Sequence, residues 1–578
     1  MWLTNVLGGP SQKAKAISFE VQSFKVDHWV TEVICDSEAE ARAEATRIQN
    51  AREGVRVIRE FNSPTAGLVE TVIFSEMRNT NRQSIQPQPI DEAPVCEQTT
   101  DFLGPASRRT ITKLLRQYLE KRSLTASELL YNPAEIRRVM NFENLVPGAV
   151  GRAAAIQGKM LNQDTRQRRD VIFDALGQLR ARAERAAKIN LPTAAKHGFT
   201  VAMGQVDAAA KGDPAEQDYL AKFVLCNDLT QIQNLLGKIE WLISLAAEGK
   251  AEPWQLEVLD ALVSDAVATS SVVQDLLGRQ PDLGAALIRL LDVVEGNFVS
   301  QGLEQAPEVT AALSRWIGSG GAPQSRATLI ESVLKGIGGT QALSRGEPEA
   351  QRIAYATLLS RVVGPAGFTA GPPMAEAFTT GYLRFIQQGG AEGRRIAIDG
   401  VTAMMKSGAE RLLYLLSMAC TPTGAKEMPT LMERIRLLLL APNGVGGLIP
   451  ATVALKPRMQ TLATIYSTMV ASDIPVEERT AFADRLDGLI ADYIVANKII
   501  EKLDDPSAPL RIRALRLMQF AANDILSSPK ARRMVRDQII GHLRQPNFDG
   551  KFVEGLNNED KLNALRSFYD LLRQAQFI

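Results

Sequence analysis

A chain of 578 residues is long enough for about four ordinary domains, and 45% hydrophobic with 23% charged residues is the composition of a chain that folds around large cores. Its 66 Lys and Arg against 65 Asp and Glu leave a net charge of +1, so no overall field selects nucleic acid, an anionic membrane or a strongly charged partner. Cys35, Cys96, Cys226 and Cys420, and His28, His197 and His542, are too scattered for a CxxC pair or a local ligand cluster, which argues against metal and redox chemistry and leaves no cofactor to expect.

The opening MWLTNVLGG has neither the basic stretch nor the apolar length of a secretion signal. The longest dense apolar run, Leu437 to Ala441, falls far short of the roughly 20 residues a membrane helix needs. The expectation is a cytoplasmic chain with no membrane span.

Residues 1–77 read as a small α+β module. Ile17, Phe19 and Val21 alternate with polar residues, as a half-buried strand requires. Trp29 to Ile34 is a second strand, ending at Asp36-Ser37. The helix AEARAEATRIQNA follows, with Ser37 as its cap and Ala39, Ala43 and Ile48 available to face a sheet. Val55, Val57 and Ile58, the turn NSPTAG, and Leu68 to Phe74 supply two more strands, giving the order ββαββ. Modules of this size bind a peptide strand at a free edge or a small effector; here Trp29 and His28 are either part of such a surface or, respectively, core and edge cap. Residues 78–107, with Pro87, Pro89, Pro94 and Pro105, read as an extended linker that tethers the module.

From there nearly every segment is helical. Ile111, Leu114, Leu115, Tyr118 and Leu119 form one stripe at helical spacing. Asn132-Pro133-Ala134-Glu135 joins an N-cap, a proline at the first position and an acidic N3 residue, and similar starts recur at Glu252-Pro253, Gln280-Pro281 and Ser528-Pro529. Ile232, Leu235, Leu236, Ile239 and Ile243, and later Leu562, Leu565, Tyr569 and Leu572, repeat the pattern. The count is on the order of twenty helices. No repeat of fixed period emerges, so a basic helical segment at 108–190 and a helical array at 191–578 form either a degenerate HEAT-like solenoid or a more globular stack. The fold class is mainly α with a small N-terminal α+β module.

Charge is uneven along the chain. Residues 107–188 carry 17 Lys and Arg against 8 Asp and Glu, whereas residues 201–310 carry 6 against 17. The two zones either pair within the fold or face different partners. Two arginine clusters are the candidate partner-binding residues. Arg166, Arg169 and Arg180 belong to the helix DTRQRRDVIFDALGQLRARAERAAK, where Arg168 and Arg182 fall on the opposite flank of the seam Ile172, Leu176, Leu179 and Ala183. Charges straddling a seam suit stems laid over a core edge better than a face dedicated to nucleic acid. Arg511, Arg513 and Arg516 lie on one helix and Arg532, Arg533 and Arg536 on the next, and a hairpin of the two would let the six guanidiniums converge, although Asp524 and Asp537 lie close by and no aromatics are interleaved.

Other motifs are weaker. The glycine runs at 336–340, 389–394 and 444–447 lack the Gly-Lys-Ser/Thr ending of a phosphate loop and read as helix caps and turns. Ser332-Val333-Leu334-Lys335 and Ser527-Ser528-Pro529-Lys530 match Ser-x-x-Lys without its companion motifs. His197, before a glycine, fits a helix end. The reading that results is a non-enzymatic interaction or scaffold protein that holds protein partners. One alternative is a regulator binding a phosphorylated ligand or nucleic acid through the arginine-rich helices. The other is an enzyme with a site assembled from residues distant in sequence.

Overall fold

A computed structural model describes residues 17–25, 28–49, 54–63, 67–77, 85–142, 144–249, 251–522, 526–575 and 577. The opening MWLTNVLGG, part of the NSPTAG turn, residues 78–84, Asp524 and the His28 side chain lie outside the described residues. The chain forms two compact units, 1–86 and 87–578.

The first unit is a four-stranded antiparallel sheet built from β1 (Ile17–Lys25), β2 (His28–Cys35), β3 (Gly54–Ser63) and β4 (Gly67–Met77), in the order β2-β1-β3-β4, with α1 (Glu38–Gln49) between β2 and β3. The ββαββ order is as the alternation predicts. Phe19, Val21, Val55 and Val57 from the central strands pack with Cys35, Ala41 and Ala45. Ser37 caps α1, its hydroxyl accepting from the Glu40 N–H at 3.3 Å. The helix face differs from expectation: Ala39 and Ala43 are exposed, and the buried stripe is Ala41 and Ala45 with Ile48 packed beside them. At about 100° per residue Ile48 lies half a turn away from Ala39 but within about 40° of Ala41, so only the second set shares a face. Trp29 is not core. It lies half-buried opposite Phe24, with the two rings T-shaped at 5.2 Å and the Arg56 guanidinium 4.5 Å above the indole.

The second unit is helical almost throughout, and the described residues of the whole chain contain thirty α-helices. None is long and apolar enough to cross a membrane. The first of the unit are α2 (Pro105–Leu114), α3 (Arg116–Arg122), α4 (Ala126–Tyr131), α5 (Pro133–Met140), α6 (Leu145–Leu161) and α7 (Thr165–Ala187). They are followed by α8 (Ala194–His197), α9 (Phe199–Ala210), α10 (Pro214–Leu229), α11 (Leu235–Ala247) and α12 (Pro253–Val267). A row of neighbours runs from α4 through α10 and α12 to helix Pro323–Gly338, then to Pro372–Ile386, Gly408–Ala419 and Leu455–Ala471, each packed on the next. The interior members show it in their sequences: from Val258 to Val267 every residue of α12 is buried, including Asp260, Ser264 and Asp265.

The predicted starts hold where the cap chemistry is strongest. Asn132 accepts from the N–H groups of Ala134 and Glu135, and Glu252 and Ser528 also precede helix starts. Gln280-Pro281 does not begin a helix; Asp282 is the cap and Leu283 the first helical residue, because the Asp282 carboxylate accepts from Ala285 N–H at 2.9 Å whereas Gln280 turns back to the Leu277 carbonyl. The stripe from Ile111 to Leu119 is divided at Leu115 between α2 and α3. In the last helix, Asn558–Gln574, Leu562 is exposed, while Phe568 and Leu572 are fully buried.

The proline-bearing stretch before α2 has no helix or strand from 85 to 98, yet it is held against the helices. Gln88 N–H donates to the Leu114 carbonyl, the Gln157 amide to Pro94 O and the Arg168 guanidinium to Cys96 O, with Ala93 and Cys96 buried. Apolar side chains and side-chain donors to its free carbonyls fasten it, so this half of the expected linker belongs to the helical unit.

Candidate functional site

The two arginine clusters divide once their surroundings are known. On α7, Arg166 and Arg169 are exposed and Arg180 pairs with Glu184 at 3.7 Å, whereas Arg168 is buried and Arg182, half-buried, pairs with Glu216 at 2.6 Å. Of the C-terminal six, Arg513 bonds Asp504 at 2.7 Å, Arg532 donates to the Ala575 carbonyl at 2.9 Å, and Arg511 has a buried Nη1 without a partner. Arg516, Arg533 and Arg536 are exposed. Two of the six are thus engaged within the fold, Arg511 is partly buried, and three face solvent.

Beside them sits a polar cluster that sequence reasoning missed. Asp504, at the end of helix Ile499–Leu503, accepts from Arg513, from the Gln538 amide and from His542 Nε2 at 2.7 Å. Burial pushes its carboxyl up, but these three partners outweigh it and hold the carboxyl below its usual range. His197 is at a helix end as expected, with Nδ1 3.2 Å from the Thr193 carbonyl. Ser528 of the second Ser-x-x-Lys match is an N-cap bonded to Asp487, and Lys335 of the first pairs with Glu331 at 2.5 Å. The glycine runs fall at the end of helix Pro323–Gly338 and at the starts of helices Gly390–Ala403 and Val445–Leu448.

The arrangement with the most binding chemistry lies elsewhere, where the start of α2 meets α4, α7, α10 and the first turn of helix Pro323–Gly338. A cleft of about 400 Å³ opens there. Gly104 and Pro105, at the start of α2, lie on the wall; the Gly104 N–H is taken by the Asp101 carbonyl at 3.2 Å, and Pro105 has no N–H to offer. One turn later Arg108 is 2% exposed. Its Nε donates to both oxygens of Asp265 at 2.9 and 3.0 Å and its Nη1 to the Leu103 carbonyl at 2.7 Å, but Nη2 is buried with no partner. Burial works against the charge, and the Asp265 carboxylate outweighs it, so the guanidinium stays fully protonated.

Opposite, Tyr219 of α10 is also 2% exposed, and its hydroxyl too is buried without a partner. Burial pushes this hydroxyl up to about 12, which keeps it a donor at any physiological pH. The Arg182 guanidinium lies 3.7 Å from the Tyr219 ring centre, and the Tyr131 ring is tilted against it at 5.1 Å. Lys222 and Asp218, also on the wall, pair at 2.7 Å. The cleft thus combines aromatic faces, three cations with three carboxylate partners, and two buried donors left over.

A second cavity, about 110 Å³, lies between α2, α4, α5, α6 and α7 with apolar walls such as Leu114, Leu130 and Val150. It is smaller than a benzene-sized hole and reads as a packing void. Among the described residues no group of His, Cys, Asp and Glu side chains is placed to hold a metal. No protein family, curated protein or solved structure matches the chain.

Proposed function

We propose that the chain is a non-enzymatic interaction protein of the cytoplasm that holds protein partners, with its helical array as the frame and the ββαββ unit as a second binding element. The observation that supports this reading is how its buried carboxylates are used. Asp228 accepts from Ala194 and Ala195 N–H, Asp260 from Gln324 and Ser325 N–H, Asp265 from Ser127 N–H, and Asp487 from Lys530 N–H, each reaching the start of another helix. Side chains that could serve acid or base chemistry instead lock helix to helix, which suits a rigid frame that presents surfaces. Crosslinking the intact chain in its native cell, followed by capture, is expected to recover a defined protein partner in near-equal amount. Recovery of none, or turnover of a metabolite by the purified chain, contradicts the reading.

The exposure of Arg516, Arg533 and Arg536 supports a second reading, a regulator that binds a phosphorylated ligand or nucleic acid. The test is the salt dependence of binding to a short oligonucleotide. For each guanidinium that neutralises a phosphate, its removal in R533A/R536A is expected to lower the slope of log K against log salt by about 0.7 to 0.9. An unchanged slope removes this reading.

A further inference from the structure

An exposed cation beside one carboxylate is common and contributes little. Three cations on one carboxylate leave charge over. Glu331 of helix Pro323–Gly338 is met at Oε2 by Arg109 Nε of α2 at 3.3 Å. At Oε1 it is met by Lys113 Nζ of α2 at 3.5 Å and by Lys335 Nζ, one turn further along its own helix, at 2.5 Å. Among the described residues it is the one carboxylate that three cations share, and none of the three has a second carboxylate partner. Two positive charges of the cluster therefore lack an acidic counterpart among the described residues. We propose that Arg109, Lys113 and Lys335 form a shallow site for a phosphate monoester dianion, presented as a phosphorylated serine or threonine on a protein partner.

Charge, donor chemistry and exposure each narrow the ligand. The surplus matches the charge of about −2 that a phosphate monoester carries near neutral pH, whereas a single carboxylate or a sulfate ester leaves one cation uncompensated. Arg109 approaches Glu331 through Nε, and the outer edge of its planar guanidinium carries further N–H groups of the kind that grip phosphate oxygens. The crowding registers on Lys335: partial burial and the neighbouring Lys113 ammonium push its pKa below the ordinary value although Glu331 pulls the other way. A dianion laid against the two ammoniums relieves that repulsion. Three cations gathered on one carboxylate meet one phosphate, not the line of phosphates along a nucleic-acid strand. The side chains of Arg109, Lys113 and Lys335 are 34%, 47% and 56% exposed, so they reach a head group from one side and do not enclose the body of a small metabolite. A phosphate carried on a larger surface needs no such enclosure. Only this source of the phosphate rests on the partner-holding reading; the head-group site does not.

The test titrates the full chain, by calorimetry at low salt, with the peptide Gly-Gly-phosphoserine-Gly-Gly and with inorganic phosphate; the unphosphorylated and the serine-sulfated peptides are controls. One saturable site is expected for both phosphorylated probes, with the sulfated peptide at least about threefold weaker and the unphosphorylated one not binding. The phosphate takes its second proton near pH 6, so affinity for the phosphopeptide is expected to fall at least about threefold from about pH 7.5 to about pH 5.5, while that for the sulfated peptide does not fall. K113Q/K335Q is expected to weaken phosphopeptide binding about fivefold or more, and R109Q about threefold, whereas R533A/R536A leaves it unchanged. In crosslinking capture from the native cell, phosphatase treatment and K113Q/K335Q are each expected to lower partner recovery at least about threefold. The site is overturned if neither phosphorylated probe saturates up to about 10 mM, if the unphosphorylated peptide binds equally, or if R533A/R536A and not K113Q/K335Q removes the binding. Partner recovery indifferent to phosphatase overturns the protein-borne source. Recovery of no partner at all contradicts the partner-holding reading, and the peptide titration still decides the site.

Discussion

Glu304 gathers a loop around one carboxylate. Its oxygens accept from Ser300 Oγ at 2.9 Å, from the N–H groups of Gln301 and Leu303 at 3.2 and 3.1 Å, and from Arg289 Nη2 at 2.9 Å. Burial raises its pKa, but those donors prevail and lower it to about 2. A carboxyl depressed in the folded state stabilises the fold above its unfolded pKa, near 4.5, and that contribution is lost as pH falls toward 2. E304Q is therefore expected to be less stable than the parent at pH 7, with the gap narrowing between about pH 4.5 and 2 in urea titrations. The same loop sets a steric limit. Gly278 has φ +70°, and a Cβ there would sit 2.1 Å from the Leu303 carbonyl oxygen, whereas Gly249, at φ +68°, opens onto free space. G249A is expected to cost about 1 kcal/mol for the left-handed backbone alone and G278A about 3 kcal/mol or more, with thermal unfolding of the two variants as the check.

Between helices, the unit of stabilisation is a carboxylate on one reaching the amides that start another. Asp265 is the richest case, since it accepts from Ser127 N–H at 3.1 Å and Ser127 Oγ at 2.5 Å on α4 while neutralising Arg108 on α2. D265A removes a cap and strands a buried guanidinium, so a loss of about 3–5 kcal/mol is expected. D260A strands no cation; it loses bonds to Gln324 and Ser325, and a smaller loss of about 1–3 kcal/mol is expected from the same denaturant measurements. This level explains what the sequence could disclose. Asn132 caps the helix immediately after it, and such a local signal is legible, as are the alternating Phe19 and Val21 of β1. Asp265 and Ser127 are 138 residues apart, and nothing in either neighbourhood marks the pair. Arg108, Tyr131 and Tyr219 were missed for that reason: only the fold brings them to one cleft. The arginine clusters drew attention because they are dense in sequence, but density does not tell a guanidinium facing water from one lying over Tyr219. Short helices such as Ala194–His197, with 4 residues, lie below the reach of periodicity, which is why about twenty were expected after the N-terminal module where α2 and the helices that follow it number twenty-nine among the described residues.

At the scale of the helical unit, the basic zone at 107–188 meets the acidic zone at 201–310. Arg108 bonds Asp265, Arg182 bonds Glu216, and in the reverse sense Glu128 bonds Lys238 at 2.6 Å, with both of the last pair almost fully buried. The first and last of these pairs are sheltered from solvent and little screened, so the melting temperature is expected to move by no more than about 2 °C between 50 and 500 mM NaCl, and a larger fall would place the attraction between the zones in partly exposed pairs such as Arg182–Glu216. The Glu128–Lys238 pair offers a sharper test. Burial pushes the Glu128 carboxyl up, and the Lys238 ammonium and Thr125 donors only partly bring it back. Removing the ammonium leaves a buried anion, so K238M is expected to cost about 3–5 kcal/mol near neutral pH. With its partner gone, Glu128 is raised further, and the sign of the pH dependence follows: a carboxyl raised in the folded state is accommodated while protonated and becomes costly as pH climbs through its folded value. The deficit of K238M should therefore be smaller at pH 5 than at pH 8. Neutralising the carboxyl as well, in E128Q/K238M, should recover more than half of the loss at pH 8 and remove most of that pH dependence, as read from urea midpoints of the three proteins at both pH values. An equal deficit at pH 5 and 8, unrelieved by the second substitution, would mean that the pair acts through packing of its side-chain stems and that the meeting of the zones contributes no electrostatic link.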